Sequence, residues 1–561
     1  MANSFHRWIV LAACLGTFAL AYAQFGGGTG TPEDPYLILT ANQLDSLRYY
    51  PQDCFRQIAD IDLNQYPYNT GNGWVPLCSI TDPFTGVYDG NGLRILNLQI
   101  SGGQNIKGLF LKLQDAEVRN LELEGVQIED GSTLGVVSGV AEGSLITGCR
   151  VSGSLSGYDI LGGIAGDVSD CEISACEVDL YLLGHEAGGG IAGWVVSSQI
   201  TGCTVHFSYA YMYAGFGGIV GYAFSYTDIE NCQVSGEMRG GGPHGGIVGE
   251  MEYGSVINCR SSHGFLQAGG PVGGIIGRAY VAVDILDCRS SLFVRGSGPV
   301  GGIVGSVENG SFLQRCSASG NVEGTWTTGG FAGSVAYGHI VDCFSRGNIS
   351  GHQSTGGFAG SIGQPQSTLQ NCYSTGAVTA TGLYLGGFAG SSGSSSVFGC
   401  YWDVEASGCT DSPVGMGRTT AQMTWPYGAD TYEGWNFSSV WEHDPQFLQG
   451  GYPILRSNNV EDADPSAPPA TSTFLHVAPN PFRTGTRISF SLPERTMASL
   501  EIFDIRGRKI IALQSGLWTR GTYGLAWDGR DGDGQIMPAG IYILRLCVGK
   551  TITVRKLTLI K

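Results

Sequence analysis

In this chain of 561 residues the carboxylates, histidines, tyrosines and thiols are the groups able to do chemistry, and their spacing decides which chemistry is open to them. Cutting a polysaccharide needs carboxylates, lysine, arginine or histidine gathered on one face. His185 and His352 fall at the same point of a repeat, four residues ahead of a glycine-rich pentapeptide, but six repeats apart. The acidic residues of the repeats are mostly single, as at Asp287 and Asp342, and suit solvated turns. No His-Glu-x-x-His sequence is present, and no catalytic residue is assigned. The aromatics offer more. The stretch HFSYAYMYAGF (206–216) sets Tyr209, Tyr211 and Tyr213 on alternating positions. Tyr209 falls in an apolar column and is expected in the core, whereas Tyr211 takes a phase usually held by glycine and is expected to project from a turn. Trp194 and Tyr222 each directly follow the pentapeptide in successive repeats. Trp194, Tyr211, Tyr213 and Tyr222 therefore form a candidate contact patch for a glycan or a protein. The competing reading is ordinary aromatic cover on a strand-rich surface.

Two further groups could hold ligands or bridges. Asp528, Asp531 and Asp533 could bind Ca²⁺, which takes clustered oxygen ligands, although a glycine-rich hairpin turn explains them equally well. Sixteen cysteines invite a disulfide reading, and Cys54–Cys78 is a plausible bridge. No Cys-x-x-Cys or His pair accompanies them, so no metal site and no cofactor are expected.

What must position these side chains is a repeat. GGIVG occurs at 217–221, 245–249 and 301–305, and its variants bring the starts to 162, 189, 217, 245, 273, 301, 329, 356 and 386. Degenerate copies at 135 and 107 extend the series to eleven units of about 28 residues. A period of this size marks a solenoid, and is short for a propeller blade. Cysteine recurs in step at 149, 176, 203, 232, 259, 288, 316, 343, 372 and 400. An aliphatic residue lies three positions before each. Another apolar residue lies six after the first nine, including Tyr209 and Phe265. Upstream the cysteine column continues into Leu121 and Leu98, so it reads as a buried apolar slot of free thiols. The runs are short, divided by Gly, Ser, Asn and Asp, and lack helical periodicity. Three strands per 28-residue turn, stacked in parallel, predict a β-helix with like side chains laddered inside. At about 4.8 Å per coil, eleven coils extend roughly 53 Å. The paired glycines are read as supplying positive φ and close approach between coils. Where the third motif residue is Phe the fourth is always Ala, a volume compensation expected if both pack inside.

The ends differ from the repeat. Residues 24–100 suit an N-terminal cap and first coil, with Thr40-Ala41-Asn42-Gln43 as a capping box opening a helix to about Tyr50. Residues 101–400 carry the repeats, and the aromatic-rich 401–456 suits a closing cap. Residues 457–472 read as a proline-rich acidic linker. From 473 to 561, alternating segments at 487–492, 499–505, 508–513, 522–527, 541–546 and 551–560 predict a small antiparallel Ig-like sandwich. At the start, His6 and Arg7, the apolar run from Trp8 to Leu20 and Ala21-Tyr22-Ala23 read as an export signal over 1–23. Cys14 also gives a lipobox-like reading, disfavoured because it precedes half of the apolar run. No other stretch is long and apolar enough to span a bilayer. The formal charge of −18 disfavours nucleic acid and anionic membranes as partners.

GTPEDPYLI (30–38), FRQIADIDL (55–63) and FTGVYDGNG (84–92), with the GGIVG-like units, CYWDVEASG (400–408), TTAQM (419–423) and GYPIL (451–455), resemble bacterial GLUG-repeat surface proteins. The tail, with APNPF (478–482), IFDIRGRKI (502–510), WDGRDGDG (527–534), PAGIY (538–542) and RKLTLIK (555–561), is similar to FlgD-like Ig folds and to sorting domains of the type IX secretion system. Pro479, Asn480, Pro481, Gly507, Gly540, Tyr542, Lys556 and Lys561 match that pattern. Such repeats occur in adhesin-like proteins and beside peptidase domains; the uninterrupted ladder, the lack of a convergent polar site and the two-ended export signature point to an adhesin-type, non-catalytic β-solenoid. The resemblance also implies export by the type IX machinery to the exterior of a Gram-negative-type outer membrane, with a glycan or a host or neighbour-cell protein as possible partner. A polysaccharide-active β-helix enzyme and a passive spacer are the alternatives.

Overall fold

The structure, a computed structural model, describes residues 24–363, 365–445, 450–456, 475–478, 482, 486–492, 496–518, 521–532, 534–548 and 551–560. The expected export signal and linker lie outside these. Two compact units are present: 1–420 with 429–435, and 421–428 with 436–561.

The first unit is the expected parallel β-solenoid. Each coil gives one strand to an eleven-stranded parallel sheet running from Ile106–Lys107 to Tyr384–Gly386, and its other strands to a continuous parallel ladder. The apolar spacing explains the register. Ile146, Ile173, Ile200, Ile229, Val256, Ile285, Leu313, Ile340 and Leu369 are successive Cα partners, and all are fully buried. The third motif residue forms a second buried ladder, in which Phe331, Phe358 and Phe388 stack with centroids 4.7 and 4.9 Å apart. The alanines that follow them are buried too, as the volume compensation predicts.

The motif glycines work through close approach alone, and the expected positive φ is absent from all of them. A Cβ on Gly217 would lie 1.9 Å from the Val220 carbonyl oxygen, and one on Gly218 2.1 Å from the Gly246 carbonyl oxygen of the next coil. The left-handed conformation sits elsewhere, at the residue before every ladder cysteine: 148, 175, 202, 231, 258, 287, 315, 342, 371 and 399. Gly, Asn and Asp hold eight of these ten corners, which suits a backbone most side chains resist. Asp287 and Asp342 are thus corner residues, but not the solvated ones expected: Asp342 is buried, and Asp287 is half-buried and ion-paired with Arg315 at 2.7 Å.

The ten ladder cysteines are free and buried. The amides of Cys232, Cys288 and Cys316 donate to the sulfur one coil on, at 3.4, 3.4 and 3.3 Å. Burial, followed by hydrogen bonds to thiols on both sides, pushes Cys288 and Cys343 well above the ordinary thiol range. Leu121 shares the slot, but its partner one coil up is Leu93 rather than Leu98, because the strand shifts register between Asp89 and Leu93. The proposed Cys54–Cys78 bridge does not form, and both are free thiols. Cys54 pairs with Val87 in the column that continues to Glu117, while Cys78 follows Leu77, which bridges to Phe110 on another strand of the coil.

At the N-terminal end Thr40 Oγ1 accepts from the Gln43 amide at 3.3 Å, and Gln43 Oε1 accepts from the Leu39 amide at 2.8 Å. This cap opens helix Ala41–Ser46, which tightens into a 3₁₀ turn at Leu47–Tyr49. At the other end strand Tyr401–Asp403 takes Met416–Arg418 as a parallel neighbour, and Asp403 caps the short helix Val404–Ser407.

Beside a two-stranded antiparallel pairing of Trp441–Glu442 with Ile454–Leu455, the second unit holds two larger antiparallel sheets among the described residues. One has the order Leu475–Ala478, Thr486–Leu492, Gly521–Trp527; the other Lys509–Trp518, Thr496–Asp504, Gly540–Val548, Thr551–Leu559. Ile488 and Trp527 of the first share a core with Leu500, Ile502, Leu544 and Leu557 of the second.

Candidate functional site

The outward column that starts directly after the glycine motif carries the aromatic platform. Asp167, Trp194, Tyr222, Glu250 and Arg278 occupy it on successive coils, each the Cα partner of the next. The placement follows from the motif, because the strand leaving its tight bend turns this residue outward. Trp194 and Tyr222 therefore adjoin as expected, with ring centroids 5.6 Å apart. Phe224, two residues on, completes the platform at 4.8 Å from Trp194. Trp194 is 36% exposed, and Tyr222 and Phe224 are half-buried.

Tyr222 leans on the neighbouring turn: a Cβ on Gly215 would meet its ring at 2.3–2.5 Å. Tyr213, in that turn, is 59% exposed and stacks on His185 of the preceding coil at 4.7 Å and 13°. His185 Nδ1 lies 3.1 Å from Glu186 Oε1. Burial, then the charges of Glu250 and Glu186, raise the Tyr222 hydroxyl above its ordinary pKa. Tyr213 thus borders the platform. Tyr211 lies on a separate strand, exposed between its partners Leu183 and Arg239.

Tyr209 is not in the core. A register shift between Leu180 and Tyr181 makes Ala210 the partner of Leu182 and Met238, and Ala210 is the buried residue. Tyr209 stacks on Tyr181 instead, at 5.8 Å. Likewise Leu266, not Phe265, continues the buried column, because His263 is an extra residue at φ +50°. Each extra residue is a β-bulge, which turns the side chains after it to the other face.

The sequence reading missed the acids of this column. Burial and then the Glu142 charge raise the Asp167 carboxyl, and burial raises Glu250 against the lowering effect of Arg278. Arg278 is held mainly by Glu308, at 3.0 and 3.1 Å, with Glu250 at 3.8 Å. No cation pairs with Asp167 among the described residues. Writing out the residue after each motif would have found Asp167 and Glu250, since both share the phase of Trp194 and Tyr222.

Among the described residues no group of three or more His, Cys, Asp or Glu is placed to hold a metal, and no helix is long and apolar enough to cross a membrane. Asp528 Oδ1 and Asp531 Oδ1 accept from the amides of Arg530 and Gln535, the bonds of a hairpin turn; Asp533 lies outside the described residues. Of the tail positions, Gly507 takes φ +81° in a turn and Gly540 opens a strand. Tyr542 is buried and donates to the Pro538 carbonyl at 2.7 Å. Lys556 lies in the last strand opposite Ile543. Pro479, Asn480, Pro481 and Lys561 lie outside the described residues.

A family model, the GLUG motif, matches residues 213–237, which include Tyr213, Tyr222 and Phe224 but not Trp194. Halomucin of Haloquadratum walsbyi is 34% identical over 147 residues, which are 24% of this chain and 2% of that protein. A protein of Evansella cellulosilytica named "Putative Gly-rich membrane protein" is 42% identical over 105 residues, 18% of this chain and 12% of that protein. The chain thus spans only a small part of the length of either relative. A solved structure from Bacteroides ovatus, titled a putative immunoglobulin A1 protease, aligns over 77% of this chain and 96% of its own at 17% identity, with a TM-score of 0.29.

Proposed function

We propose that the chain is a secreted, surface-displayed, non-catalytic β-solenoid of adhesin type, carried across the outer membrane by its C-terminal domain through the type IX secretion machinery. The observation that carries the binding half is the in-register platform Trp194–Tyr222–Phe224, whose three rings pack on one another across two successive coils, with the exposed Tyr213 in the bend before Gly215. Exposed aromatics gathered this way mark contact sites for glycans or proteins. The GLUG motif and relatives named as a mucin-like and a membrane protein support a surface setting. The export half is supported by the tail's sequence resemblance and its antiparallel two-sheet fold.

Retention of the purified chain on arrayed glycans and surface proteins tests the binding role; retention on none of them defeats it and leaves the spacer reading. Deleting residues 473–561 is expected to trap the protein in the periplasm, and normal surface display of that truncation refutes the sorting role.

One observation favours a polysaccharide-active enzyme as the second reading. Asp167 is held towards its protonated form by burial and by Glu142, as a proton donor requires. Released reducing ends or unsaturated products from a glycan substrate would establish that reading and end the non-catalytic one.

A further inference from the structure

The platform is acidic as well as aromatic. Along the solenoid axis the order is Asp167, Trp194, Tyr222, Glu250, one residue per coil, and the charge of Glu186 also acts on Tyr222. Glu186 is engaged by His185 and Glu250 by Arg278, but Arg278 is committed to Glu308. Asp167 is half-buried beside the exposed Trp194, with no ion-pair partner among the described residues. A half-buried carboxylate is stabilised by a cation brought to it. Aromatic rings beside it favour an occupant with an apolar face and a positive charge.

We infer that this column is a subsite for an oligosaccharide of unacetylated amino sugars, lying along the solenoid axis. Two pyranose rings stack on Trp194 and Tyr222, and an ammonium group pairs with Asp167. The assignment rests on the binding role proposed above and narrows its ligand class. The two ring centroids lie 5.6 Å apart, comparable to the length of one pyranose unit, with planes tilted by 46°, so consecutive sugars that twist about their linkage meet consecutive coils. The charge matches too: Asp167, Glu186 and Glu250 set three carboxylates around the two rings, which disfavours uronic-acid polymers.

Calorimetric titration of the full chain with a β-1,4-linked glucosamine hexamer, its N-acetylated counterpart and hexalysine tests the assignment. The glucosamine hexamer is expected to bind at least tenfold more tightly than the acetylated one, and to weaken as salt rises. Asp167→Asn is expected to weaken glucosamine binding about tenfold and leave the acetylated sugar unchanged. Trp194→Ala is expected to weaken both sugars about tenfold or more, with Trp194→Phe restoring much of the loss. Equal binding of the two sugars, or binding unaffected by Asp167→Asn, overturns the charge assignment. Hexalysine binding as tightly, insensitive to Trp194→Ala, overturns the sugar class in favour of a cationic peptide. If neither sugar binds while the chain is retained on another glycan or protein, this subsite fails and the adhesin reading stands. Retention nowhere defeats both.

Discussion

His244 is a histidine whose protonation the solenoid opposes. It is fully buried in the eleven-stranded sheet, with Phe216 and Val272 as its partners on either side. Its Nδ1 lies 3.0 Å from the Gly242 carbonyl oxygen, and its Nε2 has no hydrogen-bond partner among the described residues. Burial lowers its pKa from 6.5 to about 4. The fold therefore holds the neutral ring, while the unfolded chain takes up a proton below pH 6.5. The unfolded state binds more protons across the window from 6.5 to 4, so stability falls with pH through that window and this contribution levels off below it. At 1.36 kcal/mol per pH unit the window corresponds to a loss on the order of 3 kcal/mol. His244→Val copies the residue one coil on, removes the titrating group and leaves an apolar column. Urea unfolding of wild type and variant, followed by far-UV circular dichroism at pH 7, 5.5 and 4, isolates the histidine from the many carboxylates common to both. The stability of the variant relative to wild type is expected to rise by about 3 kcal/mol between pH 7 and pH 4. A difference that stays constant across these pH values refutes the buried neutral histidine.

Three other outcomes follow from the same packing. Gly218→Ala places a Cβ 2.1 Å from the Gly246 carbonyl oxygen, and is expected to destabilise the solenoid by about 1–3 kcal/mol or more, read as a lowered urea midpoint. Phe358→Ala removes the middle ring of the Phe331–Phe358–Phe388 stack and should cost about 3–5 kcal/mol, with the loss of hydrogen-exchange protection greatest in the coils on either side. Thiol labelling of the native chain should spare the ten ladder cysteines and reach them only on unfolding; Cys78 is half-buried with its pKa pushed up to about 12, so it should label slowly at neutral pH.

The sequence alone determined the coil, its period and most of its interior. Each coil meets nearly the same neighbours above and below, so one burial rule is written again every 28 residues or so. Isoleucines, phenylalanines and cysteines at fixed phase report it directly, and the capping box at Thr40 and the strands of the second unit were legible in the same local way. Only the tertiary structure decided where the extra residues of unequal repeats are absorbed. The gap from Cys203 to Cys232 announces an insertion, but whether Tyr209 or Ala210 faces inward depends on hydrogen bonding to the coils on both sides, which no local pattern records. The same holds for the motif glycines, whose use depends on a carbonyl one coil away rather than on their own φ. It holds also for Asp167, unremarkable as a single acid, which gains its setting when stacking sets it beside Trp194 and half-buries it.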